Sequence, residues 1–363
     1  MSNYLHRPSI LPEYNIIVFC HLRWDFVYQR PQHILSRLSE EHKILVVEEP
    51  VDVYCSDKSY FTVQEITSNL HVCKPLIKDL AQLGSYLKKH LPKNAYPIGW
   101  FYSPAFVSVL DFLDFDLVVY DCMDELSLFK GARPELLTQE NVLLAAADVV
   151  FTGGKSLYES KCEKHHNVFC FPSSVDVDHF SRGCVETTLK PDDLLNIDLP
   201  IIGYYGVIDE RIDYQLILNT AEKHPEFAFV MVGPICKVDI GDLPKADNIY
   251  YLGPKLYDEL PQYLKFFDIA MMPFALNEST RYISPTKTLE YMAADKPIIS
   301  TGIKDVVRDF SSCINIVTDA DDFSSAILNP VQNFSEKYRE ILENTSWDHT
   351  VRKMFLIINK VLA

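Results

Sequence analysis

A chain of 363 residues is long enough for two domains that each bury a core of their own. Its 48% apolar and 23% charged residues exclude a disordered chain, and its formal net charge of −16 excludes a nucleic-acid binder, which needs a concentrated basic surface. Nine cysteines, odd in number and never spaced as CxxC, fit reduced thiols in a cytoplasmic protein rather than a disulfide framework or a zinc ribbon.

Residues 1–15 lack a basic segment leading into an apolar one, so no signal peptide is expected. No apolar run reaches the roughly 18 residues that cross a bilayer. Ile16–Cys20 is the first candidate strand, and His21–Pro31 follows it as a loop at its C-terminal end, where α/β sheets place ligands. Arg30-Pro31 starts the next helix with a proline suited to its first turn. Arg23 and Arg30 suit an anionic group on a substrate; the alternative is an arginine–carboxylate network with Asp25 that orders the loop. Ile44–Val47 is a second strand. In residues 78–93, Lys78, Lys88, Lys89 and Lys93 interleave with Leu80, Leu83, Tyr86, Leu87 and Leu91. That pattern predicts an amphipathic helix, either a peripheral contact with anionic lipid at the inner membrane face or an ordinary surface helix.

Strands follow at Ile98–Tyr102 and Leu117–Tyr120. Asp121, Asp124 and Glu125 come directly after the latter, and three acids so close predict like-charge crowding with a raised pKa. The alternative is a helix start capped by Asp124 with Glu125 in the first turn. Val149–Thr152 leads into Gly153-Gly154-Lys155-Ser156, which lacks the GxxxxGK spacing and reads as a tight turn. Val168–Phe171 ends the first set of strands, and the polar segment Ser181–Pro200 reads as a linker. A second set runs through Ile201–Tyr205, Ala228–Val232, Ile249–Leu252, Ile269–Met272, Pro297–Ser300 and Ile314–Val317. Two successive sets of buried strands and crossover helices predict two doubly wound α/β domains.

The strongest local motif is the run from Ile283 to Ala294. Ser284 suits an N-cap and Pro285 a first helical residue. The N–H groups of Thr286 and Lys287 then face out of the helix start and, with the positive end of its dipole, suit a diphosphate. Lys287 adds an ammonium, and Glu290, one turn later on the same face, suits the two hydroxyls of a ribose. Taken alone, a capped helix with a surface Lys–Glu pair explains the run as well.

The wider context resembles the donor domain of GT-B glycosyltransferases. Ile201–Gly206 followed by Asp209-Glu210-Arg211 resembles its opening strand and loop, Phe229–Pro234 its second strand, and Tyr251–Pro254 its base-binding segment. Residues 168–180 are similar to the segment that closes the first domain, and Ser346-Trp347-Asp348 to the start of a C-terminal helix that crosses back to it. The opening His21–His33 is similar to that of the teichuronic-acid biosynthesis glycosyltransferases, a subgroup of the glycosyltransferase family 4-like enzymes. Two positions depart from the broader family. Tyr282 stands where a first donor-site glutamate is usual, and Val207 where an arginine follows the glycine; Arg211 is a candidate replacement for the lysine a few residues later.

The resemblance implies a GT-B architecture. Residues 1–195 would form the acceptor-side domain, joined by a C-terminal helix over 346–363, and residues 196–345 the donor domain. It implies a donor site of Gly206, Arg211, Pro254, Ser284, Pro285, Thr286, Lys287 and Glu290, with Arg23, Asp25 and Arg30 on a cleft loop. A base would deprotonate the acceptor hydroxyl if the mechanism inverts, with Asp121 or Asp124 as candidates. No bound cofactor or metal is expected; a UDP- or GDP-sugar is the co-substrate, and a glycan or lipid-linked hydroxyl the acceptor. Alternatives are a nucleotide-sugar epimerase and a non-catalytic sugar-nucleotide-binding protein.

Overall fold

The computed structural model describes residues 4–5, 11–50, 60–77, 79–93, 95–182 and 189–362. Two compact units divide the chain, one of Met1–Pro172 with Asp348–Ala363, the other of Ser173–Trp347.

The first unit is built on a nine-stranded sheet. Its strands are β1 (Tyr4–Leu5), β2 (Ile16–Cys20), β3 (Ile44–Glu48), β4 (Tyr60–Thr67), β5 (Leu70–Leu76), β6 (Ala95–Phe101), β7 (Asp114–Cys122), β8 (Val149–Thr152) and β9 (Val168–Cys170), in the order β1-β4-β5-β3-β2-β6-β7-β8-β9. The centre is parallel, with β2 paired to β3 and β6. Ile16, Ile17, Val18 and Phe19 are fully buried, as a β-branched strand covered on both faces requires. Only the edge is antiparallel, where β4 and β5 form a hairpin and β1 adds to β4. The apolar pattern of the sequence does not reveal this hairpin.

Leu83–His90 is a helix, and Leu83, Gly84, Tyr86 and Leu87 are all buried on it. A β-carbon on Gly84 would fall 2.5 Å from the Phe112 ring, so the helix packs tightly on its own domain. This corrects the lipid-contact expectation for residues 78–93: the apolar side is used in the core, and Lys88 and Lys89 are left at the surface. Lys78 lies outside the described residues.

The helix Trp347–Leu362 closes the chain. Val351, Met354 and Ile358 are buried, and Phe355 is half-buried against His42, with ring centroids 4.5 Å apart. Arg37 of the helix Arg30–Leu38 donates to Asp348 at 2.5 Å. Trp347 is buried as well but counts with the second unit.

The second unit holds a six-stranded, wholly parallel sheet. It comprises β10 (Ile201–Tyr205), β11 (Ala228–Val232), β12 (Ile249–Gly253), β13 (Ile269–Met272), β14 (Ile298–Thr301) and β15 (Asn315–Val317), in the order β12-β11-β10-β13-β14-β15. Its core also takes in Val175, Phe180, Leu194 and Ile197. For that reason the unit begins at Ser173, well before the boundary at 195/196 read from the sequence. The end of the expected linker is likewise anchored: Tyr263 and Lys255 both donate to Asp193. Residues 183–188 lie outside the described residues.

Among the described residues no helix is long and apolar enough to cross a membrane, and no cluster of three His, Cys, Asp or Glu could hold a metal ion. The described cysteines are free thiols, and burial pushes those of Cys20, Cys73 and Cys122 up to about 12.

Candidate functional site

The residues expected to form a donor site lie where parallel strands of the second sheet end. Gly206 follows β10 and Gly233 follows β11, with φ of 140° and 146°. A β-carbon on Gly233 would sit 1.8 Å from the Gly206 carbonyl oxygen, so the two strand ends touch backbone to backbone. Gly233 N–H donates to Gly253 O at 2.8 Å, which ties in the end of β12 and places Pro254 directly after it. Gly206 also lies directly against the Lys287 side chain. A β-carbon there would come 2.3 Å from Lys287 Cε and 2.7 Å from Nζ.

Lys287 and Glu290 lie on the helix Lys287–Ala293. The first hydrogen-bonded turn begins earlier, as Thr288 N–H donates to Pro285 O and Leu289 N–H to Thr286 O. The cap position falls on Thr286, with no side-chain cap bond. This corrects the expectation that Ser284 caps the helix: the Ser284 carbonyl instead accepts from the Ser173 hydroxyl at 3.0 Å. Thr286 and Lys287 still present their N–H groups in the first turn, where a helix has no preceding carbonyl for them.

Both charged side chains are held against solvation. Burial lowers the Lys287 pKa, against the pull of Glu290. Its ammonium lies 5.7 Å from the Tyr204 ring centroid. Burial raises the Glu290 pKa, opposed by Lys287 and by a hydrogen bond from Tyr205. That bond is short, Tyr205 Oη to Glu290 Oε2 at 2.5 Å. Tyr204 and Tyr205 were not singled out from the sequence, although two tyrosines at the end of a buried strand, directly before Gly206, are a visible signal. Arg211 is committed locally: Nε and Nη2 grip both oxygens of Asp209 at 2.7–3.1 Å. Its guanidinium shapes the loop after β10 before it can serve a ligand.

The first unit treats its expected site residues differently. Arg30 is buried and donates three bonds to Asp121, at 2.9–3.2 Å, and a fourth to Phe171 O at 2.7 Å. Burial works against its charge, and Asp121 more than compensates, raising its pKa. Arg23 reaches Glu48 at 3.0 Å and Glu49 O at 2.5 Å, not Asp25. Asp25 pairs with Lys74 at 2.7 Å. The expected crowding of acids at the end of β7, which runs through Asp121, is also corrected. Asp121 turns to Arg30, while Glu125 joins the buried Lys161, which also holds Glu140. Asp124, between them, is half-buried. A β-carbon on Gly153 would fall 2.8 Å from Met123 O, so the glycine pair makes room for this segment.

Two successive units, each built on a mainly parallel α/β sheet, are the architecture of the GT-B fold. Solved structures carry the same fold over almost their whole length. A sucrose-phosphate synthase from Thermosynechococcus elongatus has a TM-score of 0.70 at 13% identity, covering 95% of this chain and 98% of that one. An E. coli trehalose-6-phosphate structure bound with UDP-2-fluoro glucose has 0.68 at 10%, covering 94% and 98%. An α,α-trehalose 6-phosphate synthase from Burkholderia multivorans has 0.65 at 11%, covering 98% and 99%.

Residues 200–333 match the family described as Glycosyl transferases group 1, so the second unit carries a group 1 glycosyltransferase domain. The chain is also 24% identical over 267 residues to TuaH of Bacillus subtilis (strain 168), described as a teichuronic acid biosynthesis glycosyltransferase. That alignment covers 68% of this chain and 66% of the relative, just under two thirds of its length.

Proposed function

We propose that this protein transfers a sugar from a nucleoside diphosphate sugar, UDP- or GDP-linked, to a hydroxyl of a glycan or lipid-linked acceptor in cell-surface polysaccharide synthesis. The observation that carries the reading is the pairing of Lys287 and Glu290, one turn apart and both shifted by burial toward neutrality, beside a glycine that leaves space only for the lysine. A buried carboxylate beside a half-buried ammonium is costly to desolvate. A bound nucleoside diphosphate supplies what each lacks: phosphate oxygens for Lys287 and the early N–H groups, ribose hydroxyls for Glu290. Stabilising the departing diphosphate in this way requires no metal ion.

Of the two candidate bases, Asp124 is the stronger. The Asp121 carboxylate is engaged by Arg30, so a proton delivered to it would break a buried ion pair. The reading assigns the donor to the second unit and the acceptor to the first. Calorimetry with UDP and GDP tests its core. Lys287→Ala and Glu290→Gln are each expected to lose about tenfold or more in affinity, since a charge-assisted bond contributes roughly 1.5–3 kcal/mol. Unchanged affinity in both variants would move the donor site elsewhere.

A further inference from the structure

The bond between Tyr205 and Glu290 joins two residues 85 positions apart and governs what Glu290 can offer a ligand. Tyr205 is buried at the end of β10, stacked on Phe180 with centroids 6.3 Å apart and edge-on to Tyr291 at 5.1 Å. Its own backbone N–H donates to the Tyr291 hydroxyl at 3.2 Å. The ring therefore cannot swing away, and the phenol keeps its proton, because burial and the neighbouring carboxylate raise its pKa well above the ordinary value. It is a fixed donor aimed at Oε2. Among the described residues nothing bonds to Oε1.

A free carboxylate can accept a vicinal diol with one hydroxyl on each oxygen, and then the two hydroxyls matter about equally. Here Oε2 already accepts from a fixed donor at 2.5 Å, which leaves it the poorer acceptor for a second hydroxyl, while Oε1 keeps both lone pairs. We propose that Tyr205 is a specificity-determining residue of the donor site: by holding Oε2 it makes Glu290 a one-oxygen acceptor that reads a single ribose hydroxyl through Oε1. This rests on the reading of Glu290 as the ribose ligand. Tyr205 acts through Glu290 and need not touch the nucleotide, so it is a positioning residue.

The experiment compares UDP with 2′-deoxy-UDP and 3′-deoxy-UDP by calorimetry, with the guanosine set in parallel. In the native protein one deoxy analogue is expected to lose about tenfold in affinity and the other less than about twofold. Tyr205→Phe keeps the ring packing and removes only the hydroxyl. In that variant the ratio between the two analogues is expected to fall to about two or less, because the released carboxylate can turn to face both hydroxyls. Equal losses for the two analogues in the native protein would overturn the proposal without recourse to any variant. So would an unchanged ratio in a folded Tyr205→Phe protein. Glu290→Gln separates the two levels of the argument. If it binds both diphosphates as the native protein does, or if neither diphosphate binds the native protein, the ribose reading itself is wrong. If it weakens binding while Tyr205→Phe preserves the ratio, the ribose reading stands and only the role of Tyr205 is lost.

Discussion

The segment Asp121–Glu125 in the first unit and the segment Ser284–Glu290 in the second both carry charge at the C-terminal side of a parallel sheet, yet the chain handles that charge in opposite ways. In the first, Asp121 has Arg30 and Glu125 has Lys161, each partner itself buried. In the second, Lys287 and Glu290 are drawn toward neutrality because burial outweighs what their neighbours return. A charge with a dedicated internal partner holds the fold together. On the proposed reading, Lys287 and Glu290 are left for a nucleoside diphosphate to complete. Arg211 follows the first pattern inside the second unit, since Asp209 grips it from two residues away.

The comparison makes quantitative demands. The largest effect is expected at Asp124, the candidate base. Asp124→Asn should leave UDP or GDP binding intact and cut turnover by about 10²–10⁴, if Asp124 is the base. Near-normal turnover would remove the base from this segment altogether. Asp121→Asn should show the reverse split. It leaves Arg30 buried without its counter-charge, so denaturant unfolding should reveal a loss of about 3–5 kcal/mol, while turnover per folded molecule stays within a few fold. A native-like unfolding midpoint would mean the ion pair is not what anchors Arg30.

Gly206→Ala should then mimic loss of the lysine. Its β-carbon would collide with the Lys287 side chain, and the positive φ adds about 1–3 kcal/mol of strain. Roughly tenfold weaker diphosphate binding with a modest fall in melting temperature is expected. Full affinity would show that Lys287 can serve the ligand from another position.

The smallest effect is the most diagnostic. The raised pKa of Glu290 means the folded state favours its protonated form. Its stability contribution is present at pH below the ordinary value of 4.5 and is lost as pH rises through the higher folded value. Glu290→Gln should therefore gain stability relative to the native protein as pH rises through that window, while losing nucleotide affinity. A variant that is less stable at neutral pH would show that Glu290 supports the fold rather than the ligand.

The parallel strands were legible because their pattern is local. Runs such as Ile16–Cys20 and Ala228–Val232 are continuous and apolar, as doubly covered strands must be. The β4–β5 hairpin was not legible, because Gln64, Glu65, His71 and Lys74 interrupt the runs of an edge that is covered on one side only. The helix bearing Lys287 and Glu290 could be read from its own residues. The pairings Arg30–Asp121, Arg23–Glu48 and Tyr205–Glu290 could not, since their partners lie 91, 25 and 85 positions apart and nothing local records who meets whom. For the same reason three neighbouring acids looked crowded although Asp121 and Glu125 turn to separate buried partners.

The C-terminal helix sets an order of events during synthesis. Met354 and Ile358 fill the core of the first unit, but the ribosome reaches them only after the whole of Ser173–Trp347 has been made. At roughly 5–20 residues per second, the first unit waits on the order of ten seconds or more for its last piece. Throughout that interval it is a nascent domain with an uncovered apolar seam, and the second unit, synthesised later, is complete sooner.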